Sequence, residues 1–160
     1  MAARIDAAKV APGVYRAMLG LEKYLHDCGL ETELLDLVKM RASQINGCAF
    51  CLDMHSKDAR AAGETEQRLY VLSGWREAPF YSERERAALA WTEALTLIAD
   101  GHAPDDIYQQ VRRQFSDKEL VDLSLAIVAI NGWNRLAIGL RAEVGWYQPG
   151  MAAAMLKKAE

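Results

Sequence analysis

The sequence is poor in cysteine, histidine and proline, with three, three and four of them in 160 residues. An odd cysteine count does not make a secreted disulfide framework. The opening Met1-Ala2-Ala3-Arg4-Ile5-Asp6 has no apolar core segment of the secretory kind, so the expected compartment is the cytoplasm. An excess of positive charge is also missing. Nineteen Lys and Arg stand against 22 Asp and Glu, a formal net charge of −3, and no basic run occurs. Phosphate recognition needs a basic surface or stripe, so a nucleic-acid partner is not expected. No uninterrupted apolar run approaches bilayer-spanning length; the longest, at 123–130, is far too short, and no membrane partner is expected. Sustained period-two alternation, the mark of half-buried strands, is absent.

What is present is 51% hydrophobic and 26% charged residues, an ordinary globular composition, with Ala, Leu, Glu and Arg prominent. The length fits one core, so residues 1–160 read as a single all-α domain with six or seven antiparallel helices. The first helix is expected at 12–27, with Val14, Met18, Leu21 and Leu25 at helical spacing and Gly29 closing it. A second spans 32–44, and Asn46-Gly47 makes a turn directly before Cys48. A third covers 48–62 and a short fourth 65–73. Ser82-Glu83-Arg84-Glu85 has the capping-box pattern that opens a fifth helix, running to Ala99. Pro104-Asp105-Asp106 has the composition of another first turn. Ser116-Asp117-Lys118-Glu119, a second capping box, opens a long final helix at 117–144. After Pro149 the tail returns to helix formers.

The chemistry-bearing stretch is Asp36 to His55. Cys48 and Cys51, three apart, share a helix face, and His55 follows Cys51 by four. Cys48 stands at the start of its helix, where unpaired backbone N–H groups and the helix dipole favour a thiolate. A free thiol with a pKa of about 8.5 is mostly protonated at neutral pH, and a nearby imidazole can take its proton or hold the anion. A second thiol one turn away can convert an oxidised sulfur into a disulfide before over-oxidation. Activated thiol, base and resolving thiol are the parts of a thiol peroxidase or dithiol reductase. No cofactor is needed.

The pair also fits other chemistry. A zinc site needs four ligands, and beyond Cys48, Cys51 and His55 only Cys28, Asp53 or His26 could complete one; no metal is expected. Two buried structural thiols remain an alternative. A thioredoxin fold would place the motif after a strand in a βαβ unit, whereas here it follows a helical stretch.

The segment Ser43-Gln44-Ile45-Asn46-Gly47-Cys48-Ala49-Phe50-Cys51-Leu52-Asp53-Met54-His55 resembles the core motif of the AhpD-like branch of the carboxymuconolactone decarboxylase family. Gly63 to Arg68, Ala88 to Glu93 and Asn131 to Arg135 resemble further parts of its pattern, so the likeness runs over 34–141. The resemblance implies an all-helical fold, reduction of a peroxide substrate, a dithiol or protein reductant, and a homotrimer or homohexamer. It implies Cys51 as the attacking thiolate, Cys48 as the resolving thiol, and a proton relay of His55 with an acid twelve positions before Cys48. That position holds Asp36, one methylene shorter than the family's usual Glu. Members that decarboxylate lactones generally lack the cysteine pair. A redox adaptor or sensor that reduces no peroxide is the alternative function.

Elsewhere the expectations are structural. His102 reads as a surface loop residue, His26 as a helix-end cation and Cys28 as incidental. Trp91 and Trp133 read as core or interface, Asn131 and Asn134 as backbone partners at a helix contact, and Arg41 and Arg135 as interface ion-pair partners. The final helix carries Val121 and Val128 beside Leu120, Leu123, Ile127 and Ile130, more than one apolar stripe, which points to subunit contact on a second face.

Overall fold

The computed structural model describes residues 2–158, and within them ten α-helices and one 3₁₀ turn, with no strand. The order is α1 (Ala7–Val10), α2 (Pro12–Asp27), α3 (Thr32–Asn46), α4 (Ala49–Ala61), α5 (Glu66–Tyr70), a 3₁₀ turn (Leu72–Gly74), α6 (Glu83–Thr96), α7 (Ile98–Gly101), α8 (Asp105–Arg112), α9 (Asp117–Leu140) and α10 (Met151–Lys158).

Both capping boxes form. The Ser82 hydroxyl accepts from the Glu85 amide while the Glu85 carboxylate accepts from the Ser82 amide, and Ser116 and Glu119 do the same. Three short helices, α1, α7 and α10, take the count past the expected six or seven. Asp6 caps a single early turn, α1. The expected 65–73 helix tightens into 3₁₀ geometry after Tyr70. The expected 82–99 helix breaks at Leu97, leaving α7 as one further turn. The final helix stops at Leu140 rather than 144, because Arg141 turns left-handed at φ 57° and donates back to Ala137 and Ile138.

Helix α9 is the spine. Its Leu120, Leu123, Ala126, Ile127 and Ala129 meet Leu34, Leu35 and Val38 of α3 and Ala87, Ala88 and Trp91 of α6. Among the described residues it is the one helix long and apolar enough to cross a membrane by length and composition. It is nevertheless packed against α2, α3, α4, α6 and α8, with Asp122 and Asn134 buried along it. Its other face is open: Val121 and Val128 are 67% and 59% exposed.

Beyond α9 the chain turns back onto α4. Gly145 N–H donates to Asp53, the Lys57 ammonium to the Tyr147 carbonyl, and Gly150 N–H to Asp58. Trp146 rings against Phe50 at 5.9 Å between centroids.

Candidate active site

The α3–α4 turn aims the first cysteine. Gly47 adopts φ 69°, a left-handed position that glycine fills without strain, and ends α3. Cys48 N–H then bonds the Ser43 carbonyl at 3.0 Å, and Cys48 becomes the extended N-cap of α4. The turn is clamped to α9 by amides. Asn46 Nδ2 donates to Asn131 Oδ1 at 2.9 Å and Asn134 Oδ1 at 2.8 Å. Asn134 donates on to Ser43 Oγ at 3.1 Å and Asn131 to Thr96 Oγ1 at 3.0 Å. The two asparagines of α9 thus hold the cysteine turn, a link that sequence spacing did not reveal.

Cys48 and Cys51 are bonded to each other, with Cα atoms 5.3 Å apart. They are 1% and 3% exposed. Ala42 of α3 and Ile130 of α9 enclose them, with Phe50, Trp133 and Ala137 at the margin. A low-dielectric pocket of this kind makes any charge placed in it strongly felt.

His55 lies on the same face of α4, buried, one turn beyond Cys51. Burial, with the Lys39 ammonium adding to it, pulls its pKa down to about 3, so the imidazole is neutral across the physiological range. Its side chain makes no hydrogen bond among the described residues.

Asp36 sits on α3, partly covered. Burial drives its pKa up to about 6; Asp58, Glu33 and Glu64 push the same way and Lys39 opposes them. Asp36 bonds neither His55 nor either sulfur. It borders a cavity of ≈ 90 Å³ shared with Glu22, His26, Thr32, Lys39 and Leu156. Of the four expected site residues, Cys51 and His55 share a face of α4, and Cys48, its N-cap, joins them through the bond to Cys51. Asp36 lies on the neighbouring helix α3 and lines that cavity.

Two features have no signal in the sequence. Tyr147, 2% exposed, donates its hydroxyl to Asp58 Oδ2 at 2.6 Å, and burial with that bond raises its pKa. Glu22 accepts from Trp133 Nε1 at 3.0 Å and pairs with Lys39 at 2.8 Å. Arg41, expected in an ion pair, makes one within the chain, 2.7 Å from Glu93. Arg135 likewise bonds Asn131 of its own helix. Cys28 is free and partly covered, its thiol donating to the Leu25 carbonyl. Among the described residues no three His, Cys, Asp or Glu side chains are gathered as metal ligands.

Residues 12–94 match the carboxymuconolactone decarboxylase family. An uncharacterized protein of Bacillus subtilis, YdfG, is 44% identical over 140 residues, 88% of this chain and 95% of that protein. A crystal structure of a protein of unknown function from Agrobacterium tumefaciens, suggested as an antioxidant defence protein AhpD, shares 47% identity at a TM-score of 0.88. That likeness covers 91% of this chain and all of the other. The debrominase Bmp8 shares the fold at a TM-score of 0.75 and 23% identity, over 93% of this chain and 78% of its own.

Proposed function

This chain belongs to the carboxymuconolactone decarboxylase family, as an AhpD-like member, and we propose that it is a thiol-dependent peroxidase acting on organic hydroperoxides. The observation that carries the reading is the Cys48–Cys51 disulfide, enclosed in apolar side chains with a neutral imidazole one turn away.

In the proposed cycle the Cys51 thiolate attacks the terminal peroxide oxygen. The S–O bond forms as the O–O bond breaks, and the departing alkoxide takes a proton to leave as an alcohol. The Cys48 thiol attacks the Cys51 sulfenic acid, the disulfide closes, and water departs. A dithiol reductant then restores both thiols by exchange and is itself oxidised to a disulfide. The pKa contrast supports a division of labour. Asp36, titrating near 6, can hold or release a proton around neutrality, while neutral His55 offers hydrogen bonds to the sulfur and the leaving oxygen. Because Asp36 bonds neither, that proton travels through water.

The near-complete burial of both sulfurs supports a small oxidant over an adaptor that exchanges disulfides directly between proteins. The open apolar face of α9 supports a homotrimer or homohexamer. The deciding experiment follows hydroperoxide loss and thiol loss together in stopped flow, with a small dithiol as reductant. Stoichiometric consumption tied to Cys48–Cys51 closure is expected; a reduced protein that leaves the peroxide untouched sinks the reading.

A further inference from the structure

The turn that carries Cys48 is tethered from far along the chain. Asn46 is the last residue of α3, and Gly47 alone stands between it and Cys48. The Asn46 amide nitrogen donates to both Asn131 Oδ1 and Asn134 Oδ1 of α9, at 2.9 and 2.8 Å. Each acceptor is fixed in turn. The Asn131 amide donates to Thr96 Oγ1 of α6 and to the Ile127 carbonyl of its own helix. Asn134, wholly buried, donates to Ser43 Oγ, one turn before Asn46 on α3. The Ser43 carbonyl then accepts from the Cys48 amide at 3.0 Å. Ser43, Asn46, Thr96, Asn131 and Asn134 thus form one network that draws on three helices and ends at the backbone of Cys48.

The two cysteines are held unequally. Cys51 lies inside α4, where the helical hydrogen-bond ladder sets its backbone. Cys48 is the N-cap, extended at φ −81° and ψ 94°, and Gly47 before it is the residue type with the most backbone freedom. When the S–S bond opens, the covalent tie on Cys48 is gone. Its position then depends on what holds the turn.

We propose that Asn46 is the positioning residue of the dithiol pair: clamped by Asn131 and Asn134, it keeps the reduced Cys48 where the disulfide needs it. The proposal rests on the dithiol reading of this same site. Asn46 hydrogen-bonds neither sulfur. It acts by restricting the reduced state. A thiol already held beside its partner presents a high effective concentration to it, so the disulfide closes at little further cost in entropy. Without the clamp the reduced turn gains conformations that the disulfide excludes, and the equilibrium moves towards the dithiol. A contact that only stabilised the fold would lower stability in both redox states and leave that equilibrium where it was.

The test uses the full-length protein and needs no peroxide. The chain is equilibrated in mixtures of reduced and oxidised dithiothreitol. In that exchange the Cys48–Cys51 bond breaks, the two cysteines take up the reductant's two hydrogens, and dithiothreitol closes to its cyclic disulfide. Alkylation and mass spectrometry of the peptide holding both cysteines read the midpoint. Asn46→Ala should lower the equilibrium constant for the disulfide about tenfold, which raises the midpoint potential by about 30 mV. Ser124→Ala is the comparison. It removes the 2.9 Å bond from Trp91 Nε1 that ties α6 to α9 away from the turn, and it should leave the midpoint unmoved. A raised midpoint in Asn46→Ala with Ser124→Ala unmoved carries the proposal. An unmoved or lowered midpoint in Asn46→Ala, or an equal rise in Ser124→Ala, overturns it. If Asn46→Ala does not fold, Ser43→Ala takes its place under the same rule, since it removes the Asn134 link and keeps the carbonyl that Cys48 bonds. A raised midpoint in a protein that consumes no hydroperoxide leaves this inference standing while the proposed function falls.

Discussion

The Tyr147 hydroxyl donates to Asp58 Oδ2 at 2.6 Å and accepts from Ala152 N–H at 3.1 Å, fastening the returning tail and the start of α10 to the helix that carries Cys51 and His55. The neighbouring Trp146 rests on Phe50, which packs at the margin of the disulfide. Tyr147→Phe removes the bond and keeps the ring. It should cost about 1–2 kcal/mol of stability. It should also speed reduction of the disulfide by a small dithiol, because Phe50 loses part of its cover. Urea unfolding gives the first quantity and the time course of thiol release the second. A normal reduction rate in a destabilised variant would separate the tail from access to the sulfurs.

The two cysteines should differ in kind. Cys51 is one turn from His55, so Cys51→Ser should abolish hydroperoxide turnover. Cys48→Ser should permit a single attack and then stall with a sulfenic acid on Cys51, which a dimedone adduct and mass spectrometry detect. The reverse pattern would exchange the two roles.

Asp36 and His55 predict opposite pH slopes of stability. A carboxyl whose folded pKa rises to about 6 holds its proton more tightly when folded, so stability declines as pH rises from its unfolded value, about 4, through 6. Asp36→Asn should remove that decline and gain about 1–3 kcal/mol at pH 7. An imidazole whose folded pKa falls to about 3 resists protonation when folded, so stability is lost as pH falls from its unfolded value, about 6.5, towards 3. His55→Gln should flatten that acid limb. Melting temperatures across pH 3–8 for the three proteins read both slopes. An Asp36→Asn profile parallel to the parent's would show that the carboxyl is solvated.

The α9 face should report assembly. Val121 and Val128 lie seven residues apart on one side and are the most exposed apolar residues of that helix. If they are covered by a second copy, Val128→Glu should lower the mass seen by light scattering. On a monomer the same surface change stays within about 0.5 kcal/mol of the parent and leaves the mass unaltered.

The helical class, the two capping boxes and the cysteine-bearing turn were legible because their causes are local. Ser82 and Ser116 meet Glu85 and Glu119 three residues on, and Gly47 relieves a left-handed turn wherever it is placed. Helix ends without such signals were misjudged. Arg141 stops α9 with no glycine to announce it, and Leu97 breaks α6 inside a run of good helix formers. The likeness of 43–55 to a redox motif singles out Cys48, Cys51 and His55 as candidates, and the same resemblance supplies Asp36.

The sequence by itself determined that Cys51 and His55 share a face of α4, since four residues make about one turn of helix, while Cys48 joins them from the extended N-cap position. Only the tertiary structure decided what surrounds them. Asn131 and Asn134 clamp the turn from 85 and 88 residues away, Trp133 reaches Glu22 across 111, and Tyr147 reaches Asp58 across 89. The depressed His55 and the elevated Asp36 have the same origin. Their ionisation depends first on how much water the packed helices exclude, and then on a lysine whose position is set by a partner on another helix.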